Sequence, residues 1–490
     1  MGERQQALLS LDFNRSVKVE ARPERLTLDA GALLLREVID HLGIVDWMVK
    51  RIDDPRDPDL ITHPMAELLM TSLLLLGQGW RDQDDADALR DDPALRLAAS
   101  SRTGLSPLES PTRIDGMPTT KNPPEPEGLA SQPTLSRLVN TLSTNNNRTT
   151  LHEALLECAA RRIRAMRRGH RMRYLTIDVD SLPIEVHGHQ PEAAYNGHYH
   201  STVYHPLVFS IAEMGDLLNL HLRRGNAHTA EGALMVLLPL LNEVEKRLCQ
   251  VASVRFDAGF PEEELLAALE ARGTPYVARI RNNPVLDRMA APFLKRPVGR
   301  PPKEPRTWFY EMTYRTETSW SRERRVVLVV LERPDELFLH HFWLLTNWTP
   351  DQMPPEQLLE LYRERGTAEG HFGELMNVFR PALSSVPRQK NHYRGQEPAR
   401  RYPSGDSFAI NEVILLLNAL AYNIAHAPRV LLAARTHRGW SLQSFRERVL
   451  RVPARLVLHA RRAVLVVTDA TARLWLSLWA GLASMRYTET

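Results

Sequence analysis

The stretch RYLTIDVDSLPIEVHG, residues 173–188, alternates apolar Leu175, Ile177 and Val179 with Thr176, Asp178 and Asp180. A period of two is that of a half-buried strand, with every second side chain on the same face. Aspartate is depleted in strands, and two on one face repel each other. Such a pair calls for a compensating cation, and the usual one is a metal ion. Spacing puts Asp178 and Asp180 on one face and does not choose between them.

Working outward, VASVRFDAGF (251–260) reads as a second strand that ends at Asp257. LLELYRERGTAEGHF (358–372) reads as a helix carrying Tyr362, Arg365 and Glu369. Asp, Asp and Glu in that order, on strand, strand and helix, form the layout of a two-metal phosphoryl-transfer site. Carboxylates bridging two divalent ions roughly 3.5–4 Å apart activate the attacking oxygen and stabilise the leaving one. Oxygen donors select Mg2+ or Mn2+. The bridging role falls to Asp180, with Asp178 as the alternative; Asp257 completes one ion's shell and Glu369 the other's. Taken singly, Asp257 reads as a turn residue and Glu369 as a solvated helix carboxylate; the ordered set carries the argument. Gly366, Gly370 and Gly373 each cost ~1 kcal/mol in a helix interior, which suits close approach of another backbone.

The neighbouring runs supply a fold. TVYHPLVFSIAE and LLNLHLRRGN form a hairpin about Met-Gly-Asp, giving three consecutive antiparallel strands with the Asp178 strand. A helix containing Pro239 follows, then VASVRF, the helix PEEELLAALEARG and the strand PYVARI. Three strands, helix, strand, helix, strand is the order of a ribonuclease H-like α/β core.

Around that core the expected organisation has five parts. Residues 1–165 are a mainly helical N-terminal DNA-binding region with a flexible loop at about 101–130, and 170–281 are the first part of the core. Residues 282–352 are a β-rich insertion subdomain, 353–385 the catalytic helix, and 386–490 a helical, basic C-terminal region. In SQPTLSRLVNTL (131–142), Ser131 can cap a helix with Pro133 in its first turn. Ser136 and Arg137 remain for its exposed face, as in the recognition half of a helix-turn-helix; an ordinary capped surface helix fits equally. In LKRPVGRPPKEPR (294–306), Arg300 suits a narrow minor groove, although a Pro-rich linker with incidental charge is the plainer reading. Trp308, Trp320, Trp343 and Trp348 in the β-rich part are expected mostly in the core.

At 490 residues and 43% hydrophobic composition the chain is a folded protein of more than one ordinary domain. The net charge of +3 hides arginine clusters. One runs Arg161, Arg162, Arg164, Arg167, Arg168, Arg171, Arg173; others lie at 388–401 and 446–462. Clusters flanking an acidic site point to a polyanion. Two cysteines, Cys158 and Cys249, support neither a disulfide framework nor a cysteine zinc site. His187, His189, His198, His200 and His205 match no familiar zinc spacing and suit phosphate or strand contacts better. The beginning lacks a signal-peptide core, and residues 66–80 are too short an apolar run to span a membrane, so a cytoplasmic setting is expected. No GxxxxGK[ST] occurs, which disfavours an ATP-driven motor.

The residues match a known pattern over nearly the whole chain. SQPTLSRL, DVDSLPIEVHG, YNGHYHSTVYHPL, RRGNAHTAEGAL, RFDAGF, YRERGTAE and LLLNALAYNIAHAPR resemble the DDE transposases of bacterial insertion sequences, in the branch numbered thirteen-eighty. That family's last helix reads Tyr, two residues, Arg, three residues, Glu, six residues, Lys. Tyr362, Arg365 and Glu369 fit; Met376 stands at the Lys position, with Arg380 one turn later as its expected substitute. The resemblance implies cut-and-paste transposition with two Mg2+ or Mn2+ ions. It further implies double-stranded DNA partners (terminal inverted repeats and target), a homodimer on paired ends, and nucleoid association when bound. DNA contacts are expected from Tyr362, Arg365, Arg380, Arg300, Arg137, Arg224 and Asn226. A transposase-derived DNA-binding protein with impaired catalysis, or a ribonuclease H-like nuclease, is the alternative.

Overall fold

The computed structural model describes residues 9–11, 13–19, 24–100, 108, 128–166, 172–298, 303–316, 319–334, 336–384, 406–437, 439–459 and 462–483, with the backbone alone at 9–11, 14–15, 17–19 and 367–369. Arg300, most of the 101–130 loop and the arginines at 388–401 lie outside the described residues.

Eight strands make the central sheet. They are β1 (Tyr174–Ser181), β2 (Leu207–Ile211), β3 (Leu217–His221), β4 (Gln250–Phe256), β5 (Tyr276–Ile280), β6 (Arg306–Tyr314), β7 (Arg324–Glu332) and β8 (His340–Thr346). Their order is β6-β7-β8-β5-β4-β1-β2-β3. Strands β1, β2 and β3 run antiparallel in succession, while β4 and β5 run parallel to β1. Parallel neighbours need crossovers. The helices that frame the sheet are α1 (Met65–Gln78), α2 (Gln132–Leu142), α3 (Asn145–Met166), α4 (Ala233–Arg247), α5 (Glu263–Arg272), α6 (Pro355–Arg363), α7 (Arg365–Glu374) and α8 (Ser407–Thr436). Helix α4 makes the crossover from β3 to β4, and α5 the one from β4 to β5.

The alternation in β1 does what its pattern requires. Leu175, Ile177 and Val179 join Leu237, Leu241 and Val244 of α4 and Leu265, Leu266 and Leu269 of α5 in one apolar cluster. The opposite sheet face carries the aspartates and, farther along, Val277, Val327 and Leu344, covered by Leu358 and Leu359 of α6.

Residues 282–352 are β-rich, but their strands do not form a sheet of their own. β8 pairs antiparallel with β5 from Val277↔Thr346 to Ile280↔Trp343 and so extends the central sheet. Val326 to Val330 of β7 are all buried, because both faces of that strand find cover. Trp343 and Trp320 are core residues; Trp308 and Trp348 are half-buried. The run TVYHPLVFSIAE is split at His205-Pro206, where proline has no N–H to offer a ladder. Ser201–Tyr204 belongs instead to a small sheet with Ile184–Glu185 and Ala194–Asn196.

Helix α8 is largely apolar and buried on every side, and such a helix belongs in a core. It is long and apolar enough to cross a membrane, yet 83% of its apolar window is buried within the protein. Leu416 and Leu420 of α8, Leu69 of α1 and Leu155 of α3 share one cluster, and Arg25–Thr27 pairs with Ala454–His459. The N- and C-terminal regions are therefore one packed body. Burial also reassigns part of the basic surface expected from the sequence. Arg161 pairs with Glu157 at 2.6 Å, Arg162 with Asp216, and Arg446 donates to the Val378 carbonyl at 2.7 Å. A buried guanidinium persists only where such partners exist, so these three arginines hold the fold together and are not surface.

Candidate active site

The two aspartates of β1 meet different surroundings. Asp178 is 1% exposed, and both its oxygens accept from Arg255, Oδ1 from Nε and Oδ2 from Nη2, each at 2.6 Å. Arg255 itself is wholly buried and donates onward to the Leu361 carbonyl at 2.8 Å. Asp178 is thus consumed by a fork-to-fork pair that ties β1 to β4 and α6.

Asp180 lies at the end of the strand, half-buried, with Oδ1 accepting from the Ser181 amide at 2.8 Å and Oδ2 from Arg365 at 2.6 Å. The β1–β4 register pairs Arg255 with Asp178 and Phe256 with Val179. One residue further, Asp257 leaves β4 beside Asp180, and adjacent strands are about 4.8 Å apart. The Tyr199 hydroxyl reports the closeness of both carboxylates: burial raises its pKa, and the charges of Asp180 and Asp257 add to that.

Helix α7 begins at Arg365, after a break at Glu364 that separates it from α6. The expected single helix is therefore two segments, with Tyr362 on the first, partly buried against the cluster of Val277 and Leu344. Glu369 stands one turn, about 6 Å, beyond Arg365 on α7, and Arg365 reaches Asp180. Helix α7 is anchored at its far end by Glu374, which pairs with Arg429 of α8 and accepts from the Leu442 amide at 2.9 Å. The chain continues as a π-helical turn, Leu375–Phe379, in which Met376 packs against the main core. Arg380 then ends the helix in the left-handed region, at φ 44°, and its Nε donates to the Asn377 carbonyl at 3.0 Å.

A loop after β3 borders Asp257. Arg223 is buried and donates to the carbonyls of His205, His228, Thr229 and Glu231, which leaves Arg224 and Asn226 exposed at its surface. Arg224 pairs with Glu231 at 3.0 Å. A Cβ on Gly259, two residues after Asp257, would come within 2.7 Å of the Thr229 side chain. One on Gly225 would lie 2.0 Å from the Val203 carbonyl oxygen. Glycine at both places is a condition of this close packing. On α2, Ser131 makes no capping bond to the backbone and Ser136 bonds Gln83 at 2.8 Å, while Arg137 is exposed.

Two adjacent carboxylates at strand ends offer oxygen donors of the kind hard divalent ions take, with the backbone of Glu369 one turn beyond Arg365. The residues fit Mg2+ or Mn2+. Sequence reasoning missed Arg255, whose only signal is an arginine inside an apolar strand run. His205 is buried, with Nδ1 3.1 Å from the Ala227 carbonyl oxygen, so it serves the loop. Among the described residues, the histidines that gather with metal-ligand spacing are His152 and His221, with Glu412. They lie 69 and 191 positions apart along the chain (221 − 152 and 412 − 221), and no local pattern exposes them.

With this geometry in hand, the comparisons define the class. Residues 9–474 match the family described as Transposase DDE domain group 1, and the chain belongs to that family. No curated protein matches it. A cryo-EM structure of a piggyBac transposase synaptic complex with hairpin DNA aligns with 94% of this chain and 86% of that one, at 13% identity and a TM-score of 0.40.

Proposed function

We propose that this DDE transposase cuts transposon ends and joins the freed 3′-OH to target DNA, with Asp180, Asp257 and Glu369 as its catalytic carboxylates. The observation that carries the reading is the placement of Asp180 beside Asp257 at the ends of two parallel strands, while Asp178 is held by Arg255. The strand order β3-β2-β1-β4-β5, antiparallel then parallel, agrees with the order expected of a ribonuclease H-like core and supports the same reading. The sequence resemblance supports a bacterial insertion-sequence enzyme of the thirteen-eighty branch.

Two Mg2+ or Mn2+ ions held by the three carboxylates would make water a better nucleophile and offset charge on the scissile phosphate. The chain's own residues do the rest. Arg365 orients Asp180 and offers a cation beside the phosphate, and the Tyr199 hydroxyl stands near both carboxylates. Arg224, Asn226 and Arg380 provide polar surface for the backbone of the terminal inverted repeat, and Arg137 extends it along α2. Two ends must be joined to one target, so the working form is a homodimer on paired ends, acting in the cytoplasm on nucleoid DNA.

The test uses a labelled duplex carrying the native terminal repeat and its flank, with Mg2+ or Mn2+, beside Asp257→Ala. Metal-dependent nicking at the repeat boundary, absent in the variant, is the expected result. Tight end binding without nicking under any divalent ion would overturn the catalytic reading and leave a DNA-binding protein.

A further inference from the structure

Away from the aspartates, α3, β3 and α8 bring together His152, His221 and Glu412, whose donor atoms all lie within 4.8 Å of one another. Glu412 Oε1 is 3.3 Å from His221 Nδ1 and 3.6 Å from His152 Nε2. A tetrahedral zinc ion with bonds of about 2.0–2.1 Å sets its donors about 3.3–3.4 Å apart. Octahedral Mg2+, with bonds of about 2.0–2.1 Å, needs edges nearer 2.9 Å. The two nitrogen–oxygen separations and the nitrogen donors fit the first and not the second.

The proton inventory points the same way. His152 Nδ1 lies 2.8 Å from Asn219 Oδ1. That atom also accepts from the Leu220 amide at 2.7 Å, which identifies it as the amide oxygen. His152 therefore donates through Nδ1, and its Nε2 faces a carboxylate oxygen 3.6 Å away. A cation held between that nitrogen and oxygen would satisfy both. The other carboxylate oxygen, Oε2, accepts from Arg148 Nη1 at 2.8 Å, and Oε1 accepts from the Leu222 amide at 3.3 Å. An asparagine orienting a histidine and an arginine orienting a carboxylate are the outer partners a built metal site has. Glu412 is buried, whereas the His221 side chain is 44% exposed, so the cluster borders solvent.

We propose that His152, His221 and Glu412 bind one ion of the zinc class (Zn2+, Co2+ or Ni2+), separate from the oxygen-ligated pair at Asp180 and Asp257. β2 stands between the strand of His221 and the strand of Asp180. The ion would pin the N-terminal body, the sheet edge and the core helix at one point. It would also steady His221, two residues before the Arg223 that holds the loop bordering Asp257. This assignment does not depend on the transposition reading.

The experiment uses full-length Asp257→Ala protein, so that the oxygen-ligated site is impaired. It is loaded with Zn2+ or Co2+ and dialysed against excess Mg2+. One zinc per chain by elemental analysis, a tetrahedral Co2+ absorption band and a raised Tm on loading are expected. Adding His221→Ala, a half-exposed position that tolerates truncation, lowers zinc affinity more than about 100-fold and removes the Tm shift. Asn219→Ala, which leaves all three donors in place, weakens binding about 10- to 100-fold and serves if His221→Ala does not fold. Zinc not retained by the Asp257→Ala protein, or retained equally by the His221 and Asn219 variants, would overturn the proposal. The gap between His152 and Glu412 would then hold a second proton on His152.

Discussion

Asp178 and Arg255 face each other in register on neighbouring parallel strands and close two hydrogen bonds of 2.6 Å in the sheet interior. Taking away one member of a buried pair strands the other's charge and costs about 3–5 kcal/mol. Arg255→Ala and Asp178→Ala are expected to unfold at correspondingly lower urea, and any loss of DNA cleavage should follow the unfolded fraction. Full stability in either variant would mean that the pair does not hold β1 to β4.

Asp180 is expected to behave in the opposite way. Its carboxylate is 15% exposed and pairs with Arg365 on the covering helix, so Asp180→Asn alters little of the core. End cleavage should fall by more than about 100-fold, beyond what loss of a supporting partner produces. The unfolding free energy from urea titration should fall by no more than about 1 kcal/mol, as for a partly exposed ion pair. Cleavage retained in Asp180→Asn would move the catalytic role elsewhere on β1.

How far the sequence carried this reading depends on the range of the interactions involved. Period-two alternation is local, so the β1 strand, its apolar face and the pairing of helices with β4 and β5 were legible. The different surroundings of Asp178 and Asp180 were not, because they rest on Arg255, a partner 77 positions away. Nor was the joining of β8 to β5, since edge pairing leaves no mark in either strand's own pattern. Arg161 and Arg162 looked like surface charge because their acids, Glu157 and Asp216, become partners only on folding. The break at Glu364 escaped notice because no glycine or proline stands at that position.

Asp29 gives the protein a pH-dependent term unrelated to catalysis. It is 1% exposed, and its Oδ1 accepts from the Trp80 indole at 3.0 Å. Burial raises its pKa to about 6, helped by the charge of Asp92 and opposed by Trp80 and Arg451. A raised carboxyl binds its proton more tightly folded than unfolded. Its stabilising contribution is therefore complete below pH 3.8 and is lost as pH rises towards 6, up to about 3 kcal/mol in all. Asp29→Asn keeps the oxygen that accepts from Trp80. Urea titrations from pH 4 to 7 should show the wild-type slope flattened in that variant, with equal or greater stability at pH 7. An unchanged slope would assign the pH dependence to other groups.

Met376 occupies the position where the resembling family has lysine, yet it packs against the main core inside a π-helical turn. Lysine there would have to thread its stem past apolar neighbours to keep its ammonium in water. Met376→Lys should lower stability by about 1–3 kcal/mol and leave end cleavage within about twofold. A gain of tenfold or more would show instead that the position faces DNA.

Arg137 offers the sharpest test of which surface meets DNA. Helix α2 buries Leu135, Leu138, Val139 and Leu142, and Ser136 is engaged with Gln83, so Arg137 is the exposed cation of that segment. A phosphate contact contributes about one unit to the slope of log K against log salt, while a base contact carries specificity of about 1–3 kcal/mol. Arg137→Ala measured on the terminal repeat and on a scrambled duplex separates the two. Equal weakening on both duplexes with a slope reduced by about 1 marks a phosphate contact. Weakening confined to the repeat marks base reading and would make α2 a recognition helix. Identical affinity and slope on both would take α2 out of the DNA interface and leave the loop of Arg224 and Asn226 to hold the transposon end.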